Sequence, residues 1–334
     1  MDVIRARAVM FDHIGEADVL DLRSTDVPPP GPDEVRIRVK AFGLNRSESY
    51  YRAGFFDLPE EFPARLGYEA AGVVESVGTQ VNGIGIGDRV ATLPAIEVCV
   101  CGAYGELMNV PARYVVPSPP ELSDEEVAAL WSSYMTAYGM TVDLVNIREG
   151  DWVLVTAASS SLGPPTIQMV RMLGGRVIAT TRKREKAEAI RAMGAEHVIV
   201  TDEEDLAARI RASTRQEGVQ FVFDPIGGPI VEPLIECLMP YGTLVLYGIM
   251  DFDPVNLPVH LTVANNLSIH GYAMMLADKP ERNREAIDFI RDGVRRGLFR
   301  PLIDSRFPLD RFSEAISRFE AQHHVGKVVV IPDA

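Results

Sequence analysis

The residues best suited to chemistry form a run of small side chains at 157–163. Ala157, Ala158, Ser159, Ser160, Ser161, Leu162 and Gly163 follow an apolar strand-like run at 152–156 and lead into a helical pattern opened by Pro164 and Pro165. Proline suits the first turn of a helix, because the N–H it lacks would be unpaired there anyway. A glycine-rich loop in this position lets the backbone approach a pyrophosphate, which then faces the free N–H groups and positive dipole end of the helix. Two glycines of that fingerprint are replaced here, by Ala158 and Ser160, and only Gly163 remains. Taken alone, the loop fits a plain strand–turn–helix connection as well as a dinucleotide site. Its small side chains still permit close approach, and Ser159, Ser160 and Ser161 add hydroxyl donors.

The end of the next strand discriminates between cofactors. About twenty residues past such a loop, an NAD-preferring site carries Asp or Glu for the ribose hydroxyls. Here the chain reads Thr180, Thr181, Arg182, Lys183, Arg184, Glu185, Lys186, four cations with no carboxylate before Glu185. That cluster suits the 2′-phosphate of NADPH, with Arg182 and Lys186 as the expected contacts, since arginine binds phosphate bidentately. The alternative is a solvated basic helix start, which is the wrong end of a helix for cations.

Metal chemistry has little to build on. The only cysteines are Cys99, Cys101 and Cys237, and the six histidines show no HExxH-like spacing; adjacent His323 and His324 are expected at the surface. Three scattered cysteines are not a disulfide framework, so a reducing, cytoplasmic setting is expected. The formal charge of −14 argues against nucleic acid and anionic membranes as partners. No run reaches the roughly 18 apolar residues of a membrane span, and charged residues interrupt positions 1–20, so no signal peptide is expected.

These residues must be positioned by a chain of 334 residues, about two domains by length. The first third reads as β. Val35, Ile37, Val39 and Ala41 alternate with Arg36, Arg38 and Lys40, and runs at 70–77 and 88–92 are punctuated by proline and glycine. From Asp124 onward, strand-like runs at 153–156, 177–180, 198–200, 221–223, 244–247 and 267–269 alternate with helical stretches. Repeated βα units imply an α/β fold with a doubly wound parallel sheet. After Tyr272 come two amphipathic helices, at 281–294 and 311–319, and a strand at 327–331. The expected domains are 1–127 completed by 273–334, and 128–272.

With these residues in view, the chain resembles the zinc-independent, quinone-oxidoreductase-like branch of the medium-chain dehydrogenase/reductase superfamily. The resemblance spans essentially the whole chain. Its carriers are the segments 28–35, Gly43-Leu44-Asn45, 66–78, 87–90, 102–106, 136–138, 157–163, 224–228 and Gly326-Lys327. It implies a GroES-like β-rich catalytic domain, a Rossmann domain and a site in the cleft between them. It also implies hydride transfer from a nicotinamide, and association as homodimers or tetramers through the nucleotide domain.

In the sister alcohol dehydrogenase branch a zinc ion is held by a Cys and a His at positions that here carry Asn45 and Tyr68, neither of which replaces a thiolate or imidazole. No metal is expected. Without a Lewis acid, the expected reaction is NADPH-dependent reduction of an activated acceptor, a quinone or α,β-unsaturated carbonyl compound. Two alternatives stay open: a dehydrogenase of a specialised alcohol working without zinc, and a non-catalytic NADPH-binding sensor or structural protein. The resemblance gives Tyr50 as a donor to substrate oxygen and Asn45 as a positioning group for substrate or nicotinamide ribose. Glu69 becomes a structural carboxylate paired with an arginine. Thr136, Pro225, Ile226, Gly227, Tyr247, Gly248 and Lys327 become cofactor contacts, and Phe55, Phe56, Ile96 and Met250 candidate walls of an apolar pocket.

Overall fold

The computed structural model describes residues 3–55, 61–94, 102–274 and 280–332. The chain divides into two compact units, Met1–Ser132 with Met275–Ala334, and Ser133–Met274.

The first unit opens with β1 (Ile4–Phe11), β2 (Asp21–Val27), β3 (Glu34–Gly43), the short helix α1 (Arg46–Arg52), β4 (Ala64–Arg65) and β5 (Ala70–Val77). Next come β6 (Arg89–Thr92), β7 (Leu107–Pro111), β8 (Val115–Pro117) and α2 (Asp124–Val127). A capping box fixes the start of α2: Glu126 N–H donates to Ser123 Oγ, and Ser123 N–H to the Glu126 carboxylate. In β3, Val35, Ile37 and Val39 are buried as their alternation requires. Arg36 breaks the half-buried pattern at 2% exposure. Its guanidinium is satisfied by the carbonyls of Val27 and Pro28 and by Asn109 Oδ1, so burial leaves no donor group stranded.

Helix α3 (Trp131–Tyr138) continues into a π-helical stretch at Gly139–Leu144. The second unit then alternates strand and helix: β9 (Trp152–Val155), α4 (Gly163–Met172), β10 (Arg176–Thr181), α5 (Ala187–Ala192), β11 (His197–Val200), α6 (Leu206–Ser213), β12 (Val219–Asp224), α7 (Val231–Glu236), β13 (Leu238–Leu246), α8 (Val259–Ala264) and β14 (Ser268–Gly271). Its sheet runs β11-β10-β9-β12-β13-β14, all parallel. This is the dinucleotide-type order, which reverses direction beside β9 and so opens a crevice at the carboxyl ends of the strands. The period of two explains why both sheet faces are apolar. Val153 and Val155 pack with Ile167, Val170 and Ile190 on one face, while Leu154 packs with Ile210, Leu234 and Ile235 on the other.

The chain then returns to the first unit as α9 (Pro280–Arg295), β15 (Ile303–Pro308), α10 (Phe312–Glu320) and β16 (Lys327–Ile331). That unit's main sheet runs β15-β16-β3-β5-β6-β8, with β7 also on β3; a smaller sheet runs β2-β1-β4. Phe312, Ile316 and Phe319 of α10 enter the same core as Val9, Phe11 and Phe42. Each such buried phenylalanine contributes roughly 1.5–3 kcal/mol through area removed from water. β16 pairs antiparallel with β3 at Val329↔Gly43 and Val330↔Phe42, and continuing that register sets Lys327 opposite Asn45. Among the described residues no helix is long and apolar enough to cross a membrane.

Candidate functional site

In the second unit, residues 157–163 form a tight loop after β9. Ala157 adopts φ +45°, and Ala158 N–H donates to the Thr180 carbonyl at 3.0 Å, tying the loop to β10. Gly163 is required where it stands, because a Cβ there would lie 1.8 Å from the Ala158 carbonyl oxygen. The N–H groups of Ser161 and Leu162 and the hydroxyls of Ser160 and Ser161 have no acceptor among the described residues. They form a concave set of donors at a helix start, which is what phosphate oxygens require.

The cation cluster is divided by the fold. Lys186 is buried and its Nζ lies 3.4 Å from Ser159 Oγ, at the loop itself. Arg182 is exposed just past the end of β10, and Thr180 is buried within that strand. Lys183 instead pairs with Asp202 at 3.4 Å and Arg184 with Glu203. Treating the four cations as a single phosphate receptor is therefore corrected. Carboxylates that follow β11 neutralise two of them, and only the parallel pairing of β10 with β11 brings those carboxylates close.

At the end of β12, Asp224 is fully buried and organises the next turn. Its carboxylate accepts from Ile226 N–H at 3.1 Å, Gly227 N–H at 2.8 Å and the Thr156 hydroxyl. Burial raises the Asp224 carboxyl above its ordinary range, against these hydrogen bonds. Gly227 takes φ +71°, and a Cβ at Gly248 would lie 2.7 Å from the Pro225 carbonyl oxygen, so two backbone segments touch there. Tyr247 N–H donates to the Asp224 carbonyl, while its buried phenol oxygen has no hydrogen-bond partner among the described residues. Thr136 Oγ1 contacts Met274 Sδ at 3.7 Å. Asp224 was not singled out from sequence; an acid directly before Pro-Ile-Gly-Gly, at a strand end, was the available signal.

In the first unit, β3, β5 and β16 bring a second cluster together. Lys327 Nζ donates to Glu69 Oε2 at 2.6 Å and to Asn45 Oδ1 at 2.7 Å. Glu69 is thus paired with a lysine, not the expected arginine, because β16 delivers Lys327 opposite Asn45. The Asn45 amide donates to the Gly43 carbonyl and to Glu69 Oε2, both at 3.3 Å, so donor and acceptor sides are all used. Ser132 N–H donates to Glu69 Oε1 at 2.8 Å.

Glu48, another residue not singled out from sequence, is fully buried beside this group. It accepts from Asn45 N–H at 2.7 Å, Tyr68 N–H at 3.2 Å and Tyr104 Oη at 2.5 Å. Burial pushes its carboxyl up to about 7, with the Tyr104 and Asn45 hydrogen bonds opposing. Its sequence signal was the Asn-x-x-Glu spacing of a capping box. Tyr68 Oη lies 2.7 Å from Ser47 Oγ and 3.4 Å from Ser132 Oγ.

Tyr50 is half-buried on α1 and meets Phe55 edge-on at 6.1 Å. Burial raises its phenol above the ordinary range, with the Arg46 charge opposing. Phe55 is 59% exposed and Met250 partly exposed; Phe56, Ile96, Cys99 and Cys101 lie outside the described residues. His323 is exposed as expected, but His324 is buried and stacks on Phe319 at 5.3 Å, a correction the short α10–β16 connection explains. No three His, Cys, Asp or Glu among the described residues are grouped to hold a metal ion.

Comparison with known proteins places this geometry in context. Residues 31–120 match the alcohol dehydrogenase GroES-like domain, and residues 162–292 match the zinc-binding dehydrogenase family. A 2-haloacrylate reductase from a Burkholderia species is 32% identical, over 98% of this chain and 99% of that protein. A quinone oxidoreductase from Pseudomonas aeruginosa is 31% identical, over 98% of this chain and all of that protein. The chain belongs to the quinone-oxidoreductase-like branch of the medium-chain dehydrogenase/reductase superfamily. The crystal structure of Escherichia coli quinone oxidoreductase complexed with NADPH superposes with a TM-score of 0.88 at 26% identity, covering 98% of this chain and 100% of that one. The first unit is accordingly GroES-like, the second a Rossmann domain, and the chain an oxidoreductase.

Proposed function

We propose that the chain is an NADPH-dependent reductase that delivers hydride to a quinone or an α,β-unsaturated carbonyl compound without a metal ion. The observation that carries this reading is the buried Lys186 ammonium 3.4 Å from Ser159, beside a loop in which the Ser161 and Leu162 N–H groups and the Ser160 and Ser161 hydroxyls have no acceptor among the described residues. A 2′-phosphorylated dinucleotide fits that set. Ser159, Ser160, Ser161 and Leu162 would hold the pyrophosphate, and Thr180, Arg182 and Lys186 the ribose phosphate. Pro225, Ile226 and Gly227 would border the ribose, and Thr136, Tyr247 and Gly248 the nicotinamide. When bound, NADPH supplies a hydride.

The acceptor chemistry follows from the donors of the first unit. Asn45 and Tyr68 stand at the metal-ligand positions of the alcohol dehydrogenase branch, and neither side chain holds zinc firmly. In a conjugated acceptor the arriving charge spreads onto oxygen, where a positioned hydrogen bond stabilises it. Burial keeps the Tyr50 phenol protonated, so it acts as a neutral donor. Asn45, fully engaged by Lys327 and Glu69, acts by position. The same reading makes the chain a cytoplasmic homodimer.

The test is NADPH consumption by the purified chain against a panel of quinones and enones. Turnover with NADPH and little with NADH is expected. Calorimetric NADPH binding with silence across the panel would remove the reductase and leave a binding protein.

A further inference from the structure

In the sheet of the second unit, β10 is flanked by β9 on one side and β11 on the other. Ala158 N–H, in the loop after β9, donates to the Thr180 carbonyl at 3.0 Å. Thr201 N–H, just after β11, donates to the Thr181 carbonyl at 2.9 Å. Both neighbouring turns are thus tied to the last two residues of β10. The cations that follow, Arg182, Lys183, Arg184 and Lys186, stand between turns of opposite character. The loop after β9 offers N–H groups and hydroxyls, whereas the turn after β11 reads Asp202-Glu203-Glu204-Asp205.

Cations close in sequence are drawn opposite ways. Lys186 turns to the β9 side, with Nζ 3.4 Å from Ser159 Oγ. Lys183 turns to the β11 side, with Nζ 3.4 Å from Asp202 Oδ2. Arg184 follows Lys183: its Nε donates to Glu203 Oε2 at 2.8 Å, and its Nη2 donates to the same oxygen.

The acidic turn divides in the same manner. Glu204 accepts from Val200 N–H at 2.8 Å and pairs with Arg209, and Asp205 caps α6 by accepting from Ala208 N–H at 2.6 Å. Those two carboxylates shape the backbone. Among the described residues, the Asp202 and Glu203 carboxylates accept only from Lys183 and Arg184. All four of these side chains are exposed. Exposed ion pairs add little to stability, so neither pair is needed to hold the fold. Each does bear on an arriving anion, because the carboxylate neutralises a cation and also repels the anion itself.

We propose that Asp202 and Glu203 are specificity-determining residues for the cofactor: by holding Lys183 and Arg184 on the β11 side, they limit affinity for the 2′-phosphate. The inference rests on the NADPH reading above and names the residues that restrain it. NADP+ keeps the 2′-phosphate, so four free cations would also hold the oxidised product more tightly. The two carboxylates therefore favour product release, a step that sets the rate in many enzymes.

The experiment is calorimetric titration of the unaltered chain, Asp202→Asn, Glu203→Gln and the double variant, with thermal melting to confirm folding. The ligands are NADPH, NADH, and the probes 2′,5′-ADP and 5′-AMP, which differ only by the 2′-phosphate. Each single variant is expected to tighten NADPH and 2′,5′-ADP about fivefold, the scale of one exposed charge pair, with NADH and 5′-AMP nearly unchanged. Adding Lys183→Met to Asp202→Asn should abolish the gain, since the freed ammonium is then missing. NADPH binding that is unchanged or weaker in the double variant, a gain shared equally by NADH, or a gain that survives Lys183→Met would overturn the proposal and leave the NADPH reading intact. An unaltered chain that binds 2′,5′-ADP no better than 5′-AMP would overturn both.

Discussion

Lys327 Nζ lies 2.6 Å from Glu69 Oε2, although the two residues are 258 positions apart in sequence. Both are withdrawn from water, at 2% and 0% exposure. Such a pair offsets its desolvation only when the other protons and lone pairs are also used. Here most of them are, since Asn45 Oδ1 takes a second of the three ammonium protons, and Ser132 N–H and the Asn45 amide reach the two Glu69 oxygens. The pair thus stitches the returning tail to β3 and β5, and it fixes the Asn45 amide from both sides.

Breaking that pair from one side leaves a buried charge without its partner. Lys327→Met is expected to destabilise the fold by about 3–5 kcal/mol. The double variant Lys327→Met with Glu69→Gln should recover part of the loss, because no lone carboxylate remains. Denaturant unfolding followed by circular dichroism measures both; a single-variant loss below about 1 kcal/mol would show that the pair contributes little beyond geometry.

Glu48 makes the stability of the fold depend on pH. Its carboxyl sits at about 7 when folded against an ordinary 4.5, so the folded state favours the protonated form. The contribution is fully present below the ordinary value and is lost as pH rises through about 7. A shift of this size corresponds to about 3 kcal/mol. The difference in unfolding free energy between the unaltered chain and Glu48→Gln, taken at a series of pH values, isolates this group from the other carboxylates. A difference that stays flat between pH 4.5 and 8 would remove the assignment.

Local pattern was enough to read the second unit. A buried parallel strand such as β9 is apolar throughout, and the loop after it announces itself by its small residues. The first unit hid more, because its chemistry is made by register. Nothing local to Lys327 says that it faces Asn45; that follows only from β16 pairing with β3. Likewise Lys183 and Arg184 look available until β11 brings Asp202 and Glu203 beside them. Glu48 resembles any helix-start glutamate until Tyr104, 56 positions away, donates to it.

The divided cation cluster makes a cofactor prediction. With Lys183 and Arg184 engaged by carboxylates, the phosphate preference should rest on Lys186 and Arg182. One charge-assisted hydrogen bond contributes about 1.5–3 kcal/mol. Lys186→Ala should therefore weaken NADPH roughly 10- to 100-fold and NADH far less, and Arg182→Ala should do the same to a smaller degree. Arg184→Ala should change neither. Calorimetric titration with both nucleotides decides; equal losses for NADPH and NADH in Lys186→Ala would sink the ribose-phosphate assignment.

The homodimer expectation can be placed on β14. It is the last strand of the parallel sheet, and among the described residues nothing pairs with its outer edge. All four of its residues are exposed, and Val259, Val263 and Ile269 are exposed large apolar side chains on or just before it. An open edge of this kind invites another strand. Two copies related by a two-fold axis would each present the same edge to the other, so one substitution is felt twice. The unaltered chain is expected at twice its 36.7 kDa mass in light scattering. Val263→Lys with Ile269→Lys would set like charges facing each other and should shift the particle to the single-chain mass, with the NADPH site intact. An unaltered chain already at single-chain mass at micromolar concentration, or a double variant that stays dimeric, would place association elsewhere or remove it.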